Sequence, residues 1–168
     1  MSIYNTYYTK EEIARILEAS QSKEISQFEK KLLDISNKLY IFDGLNRDEV
    51  QKTVGKVKFN KYDKGKVIIN EKDEGDEIFF ILSGKGAVVV NGKKVVAIID
   101  SGSMFGEMAF LTKKPRSATI IAYKDNTTVI SFQINTTILE NTTECSLSKI
   151  YQNIALDLSK KLETTNSK

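Results

Sequence analysis

The chain has 168 residues, 40% of them hydrophobic, with 25 basic and 22 acidic side chains giving a formal charge of +3. That is material for one core, with no broad basic face for nucleic acid. It contains no histidine and one cysteine, Cys145, which removes the commonest general base and metal ligand, intrachain disulfides and multi-cysteine zinc sites. No stretch approaches the roughly 20 apolar residues of a membrane span, and the N-terminus MSIYNTYYTKEE lacks a signal-peptide core, so a soluble, cytoplasmic protein is expected.

In chain order, the first 40 residues read as a helical segment. Thr9 and Glu12 form a capping box ahead of Ile13, Ile16 and Leu17. A second helix is expected from near Ser22, where Ile25, Phe28, Leu32, Ile35 and Leu39 make an apolar seam of about two heptads, suited to packing on the rest of the chain or on a partner. From Lys56 the pattern changes to short β-rich runs: Val57 to Tyr62, Val67 to Ile69, Glu77 to Ser83, Gly86 to Val90, Lys93 to Ile98, Ser117 to Ile121 and Thr127 to Gln133. Strands this short predict a jelly roll or similar barrel. Asn91 and Gly92 predict a two-residue hairpin turn, and Gly65, Gly75 and Gly84 mark other corners. Ser146 to Leu162 returns to helical spacing, with Leu147, Ile150, Ile154 and Leu158 on one stripe, followed by a polar tail over 163–168.

The chemistry concentrates in GEMAFLTKKPRSATIIA, from Gly106 to Ala122. A glycine lets backbone approach a ligand closely, and the residues after it can open a helical turn whose amides face negative charge. Glu107 alone would repel an anion, so it suits ligand hydroxyls, while Arg116 neutralises a charged end. A phosphate beside a ribose meets both demands. Pro115, the only proline, biases Lys114 toward extended geometry and carries Arg116 inward. Lys113 and Lys114 read as a solvated loop tip. The loop EKDEGDE offers paired carboxylates such as Asp73 and Glu77, and it too reads as solvated surface. No catalytic residue, metal site or cofactor is expected, and the protein is read as a non-enzyme.

At these residues the chain resembles the phosphate-binding cassette of the cyclic nucleotide-binding domain family, which includes protein kinase A regulatory subunits, cyclic nucleotide-gated channels and the bacterial catabolite activator protein. The family's glycine, glutamate, hydrophobic and alanine positions fall on Gly106, Glu107, Met108 and Ala109, and its proline and arginine on Pro115 and Arg116. Phe42, Leu45 and the run from Tyr62 to Val90 follow the family's strand and glycine pattern, so the resemblance covers roughly residues 40 to 162. It implies a mainly β fold with flanking helices, a β-roll cyclic nucleotide-binding domain over 41–162 that ends in a lid-type helix.

The implied function is a regulatory or sensor module that binds cyclic AMP, or cyclic GMP, and signals by repositioning its helices. The implied ligand-binding residues are Gly106, Glu107, Met108, Ala109, Arg116 and Ser117. Ser117 follows the arginine as in the catabolite activator, where relatives favouring cyclic GMP often carry threonine, and this points to cyclic AMP. The chain shows no helix-turn-helix after Leu162, so no direct DNA binding and no membrane partner is expected. Output through the terminal helices to a second copy or a separate effector is the expectation. The alternative is a β-roll interaction or structural module that binds no nucleotide.

Overall fold

A computed structural model describes residues 38–92, 94–136 and 144–166. The capping box at Thr9 and the seam from Ile25 to Ile35 lie outside the described residues.

The described fold is two four-stranded antiparallel sheets with helices on one side, as the strand pattern predicts. One sheet has the order β1 (Val54–Tyr62), β8 (Thr127–Ile134), β3 (Ile78–Ser83), β6 (Met104–Phe105). The other runs β2 (Val67–Ile69), β7 (Thr119–Ala122), β4 (Lys85–Val90), β5 (Lys94–Asp100). β3 reads IFFILS without polar alternation because both of its faces are covered. Its Ile78, Phe80 and Leu82 pack with Ile130 and Phe132 against the helical side, while Phe79 and Ile81 join Ile69, Ile120 and Val129 between the sheets.

The helical side is made of a 3-10 turn (Tyr40–Phe42), α1 (Arg47–Thr53) and α3 (Glu144–Asn166). Ile150 and Ile154 of α3 are fully buried beside Leu39, Ile41 and Val50, and Leu147 and Leu158 pack at the edge of that cluster. Burying an isoleucine fully contributes about 1.5–3 kcal/mol, so this stripe holds α3 on the roll. Polar contacts add register: Asn153 donates to the carbonyls of Ile41 and Asp43, and Lys149 to that of Gly44.

Three local expectations need correction, and one helix went unforeseen. Leu39 is extended (φ −98°, ψ 98°) and caps the 3-10 turn, so the seam's last residue is core and not helix. The sequence reading missed α1, which opens with a reciprocal capping box between Asn46 and Glu49. Asn91 and Gly92 both have positive φ (55° and 67°), but Val90 pairs with Lys94, which makes the hairpin loop one residue longer than a two-residue turn. β7 starts at Thr119, leaving Ser117 and Ala118 in the loop that leads into it.

Candidate functional site

β6 ends at Phe105, and Gly106 turns the chain into α2 (Glu107–Thr112) with φ 83°, a left-handed conformation that glycine adopts without penalty. α2 closes at Lys113, itself left-handed at φ 55°. The chain then runs through Pro115 to Arg116, whose amide donates to the carbonyl of Asp73, while its carbonyl accepts from the amide of Lys72. The acidic loop read as solvated surface is therefore the bracket that holds Arg116.

Two charged side chains are buried here: Arg116 is 6% exposed and Glu107 4%. Arg116 Nη1 donates to Gly106 O and Nη2 to Glu77 O, each at 2.9 Å, and its guanidinium carbon lies 5.3 Å from the centre of the Phe79 ring. Phe79 in turn stacks on Phe105 at 5.2 Å. Burial pulls the guanidinium below its ordinary pKa, and the carboxylates of Glu77, Asp76, Asp73 and Glu107 oppose that pull. Arginine keeps its charge throughout. Two of its five N–H donors are committed to carbonyls, which leaves capacity for an anion.

Glu107 and Arg116 share the lining of one cavity of about 370 Å³, and all six residues expected from the sequence line it: Gly106, Glu107, Met108, Ala109, Arg116 and Ser117. Its opposite wall is the second sheet, with Ile69, Ile120, Val88 and Ala97 along β2, β7, β4 and β5. Lys113 and Lys114 face a separate outward hollow with Glu74, Gly75 and Asp76. Lys113 Nζ sits 4.6 Å over the Phe110 ring. Asp73 and Glu77 do not form a paired acid and base: Glu77 takes an ion pair from Lys58 at 2.8 Å, and Asp73 accepts from Asn70.

The sequence reading missed the last helix's share of the site. Lys161 and Thr164 of α3 line the cavity, and Lys161 Nζ reaches Glu107 Oε1 at 2.6 Å, Asp157 Oδ2 at 2.8 Å and Met104 O at 2.8 Å. Burial would lower the lysine pKa, but the Glu107 carboxylate and then Asp157 outweigh it and hold the ammonium above its ordinary value. A signal was present. Continuing the stripe Leu147, Ile150, Ile154, Leu158 by three residues lands on Lys161, a lysine at a core-facing position.

Residues 59–137 match the family described as "Cyclic nucleotide-binding domain". The chain is 31% identical over 110 residues to a cAMP-dependent protein kinase regulatory subunit of Mycosarcoma maydis, covering 64% of this chain and 20% of that protein. It is 33% identical over 82 residues to a cGMP-dependent protein kinase of Plasmodium berghei, covering 49% of this chain and 10% of the kinase. The chain thus spans a fifth or less of these relatives. A cyclic nucleotide-binding domain from Methylobacillus flagellatus has the same fold, with a TM-score of 0.64 at 20% identity over 84% of this chain and 82% of that one. Among the described residues, no helix is long and apolar enough to cross a membrane.

Proposed function

We propose that this chain, whose residues 59–137 match the cyclic nucleotide-binding domain family, is a non-catalytic regulatory module that takes a 3′,5′-cyclic nucleotide into the cavity between α2, Arg116 and the second sheet. Cyclic AMP is the ligand to test first and cyclic GMP second. Arg116 neutralises the ring phosphate, together with amides near Ala109 at the start of α2, and Glu107 accepts from the ribose 2′-hydroxyl. Gly106 supplies the turn, Met108 and Ala109 the wall, and Ser117 a hydroxyl beside the phosphate.

The carrying observation is the pair of buried opposite charges on one cavity, each fixed by the fold at a different point of its rim. Burying a charge is costly unless it is paired or bonded, and a roll serving only as scaffold has no use for two such residues around a hollow. The signal leaves through α3, whose side chains touch both the cavity and the N-terminal turn. It passes to a second copy or to an effector protein in the cytoplasm. Calorimetry with cyclic AMP, cyclic GMP and linear 5′-AMP tests the reading. Uptake of a cyclic nucleotide and not of the linear one is the expected result, and no uptake of either cyclic form overturns it.

A further inference from the structure

The cavity is polar on one side and apolar on the other. Its polar side chains are Ser103, Glu107, Arg116, Ser117, Lys161 and Thr164, all on the cassette, on α3 or on the turn before β6. The sheet wall has none. Register explains why: Ile69 pairs with Ile120, Ile120 with Val88 and Val88 with Ala97, so these four side chains form one cross-strand row facing the cavity across β2, β7, β4 and β5. The far end of this wall is open, since Ala97 is exposed and Ile98 is 42% exposed.

Resting on the cyclic nucleotide reading above, we propose that the site recognises the ring phosphate and ribose and accepts the base by shape alone, making it a receptor for cyclic purine nucleotides of either base. An apolar row discriminates ring size but not the placement of an amine or a carbonyl on the ring edge. A base lying along it toward Ala97 and Ile98 keeps its polar edge in water, so neither purine pays a desolvation penalty that the other escapes.

The polar side chains nearby do not restore selectivity. Lys161 is already engaged: its ammonium donates to Glu107 Oε1 and Met104 O, and its charge is paired with Asp157. Ser117 and Thr164 carry hydroxyls, each both donor and acceptor, which serve adenine's amine and guanine's carbonyl alike.

The test is calorimetry on the full chain with cyclic AMP, cyclic GMP and cyclic CMP. Cyclic AMP and cyclic GMP are expected within about tenfold of each other, and cyclic CMP roughly three- to tenfold weaker than both because its single ring covers less of the row. The double variant Ser117→Ala, Thr164→Val is expected to change the cyclic AMP to cyclic GMP ratio by less than about threefold. A native ratio beyond tenfold, or a ratio that moves beyond threefold in the variant, overturns the inference and leaves the ligand reading standing. No uptake of any of the three excludes both.

Discussion

Lys161 and Glu107, 54 residues apart in the chain, meet at 2.6 Å, so the carboxylate assigned to the ribose also anchors the last helix. Lys161→Met removes that anchor along with the ion pair to Asp157 and the bond to Met104 O. The expected loss of stability is about 1–2 kcal/mol, below the figure for a fully buried pair because the lysine side chain is 39% exposed. Hydrogen exchange should quicken in α3 beyond Leu158 and stay unchanged in β3 and β8. Unaltered exchange at the end of α3 would show that the ion pair does not hold the helix.

Arg116→Ala should weaken cyclic nucleotide binding by about 30-fold to several thousand-fold, the loss of roughly 2–5 kcal/mol expected when one partner of a buried charged contact is removed. It also strands the carbonyls of Gly106 and Glu77, so a stability cost of about 1–3 kcal/mol accompanies it. Arg116→Lys should bind poorly as well, since a single ammonium cannot span two carbonyls and a phosphate. Titration of the folded variants decides, and native affinity in either would sink the phosphate assignment.

Glu107→Gln should cost about 1–3 kcal/mol of affinity for a cyclic ribonucleotide and much less for its 2′-deoxy form. The two ligands give a double-mutant cycle. Equal losses for both would mean that Glu107 acts only by holding Lys161.

Gly106→Ala is expected to abolish tight binding while leaving the sheets intact. A Cβ there would lie 2.9 Å from Arg116 Nη1, 3.0 Å from Phe79 Cδ2 and 3.2 Å from Glu77 O, on a backbone at φ 83°. The left-handed backbone costs about 1–2 kcal/mol by itself, and the contact pushes the guanidinium out of its bracket. Native-like affinity with a native-like melt would contradict the packing described.

The raised pKa of Lys161 fixes the sign of an alkaline effect. A lysine whose folded value lies above the ordinary 10.5 contributes stability that is fully present below 10.5 and is lost as pH climbs through the folded value. The stability advantage of the native chain over Lys161→Met should therefore be constant near neutrality and shrink above pH 10.5. Denaturant melts of both proteins across that range measure it, and an advantage that grows with pH would reverse the assignment.

The roll was legible because its strands are short, β-branched and punctuated by glycine, and because IFFILS at β3 is apolar at every position but the last. The cassette was legible because a glycine, a glutamate and an arginine make an unusual set in one loop. α1 was not: it has seven residues and buries Val50 and Thr53, too little periodicity to register, although its Asn46–Glu49 box was present. Lys161 was passed over since a lysine near the end of a helix ordinarily reads as solvated. The acidic loop was misjudged for a different reason. It holds Arg116 through main-chain carbonyls, and main-chain groups carry no residue signature.

The two halves of the site differ in how they can evolve. Arg116 is oriented by the carbonyls of Gly106 and Glu77, which no replacement of a side chain deletes, so its aim is inherited with the path of the chain as long as Gly106 and Gly75 leave it room. Glu107 is held by Lys161, and Lys161 by Asp157, both through side chains that a single codon can alter. Substitutions in α3, remote in sequence from Gly106 to Arg116, can therefore shift Glu107 across a lineage while Arg116 keeps its place.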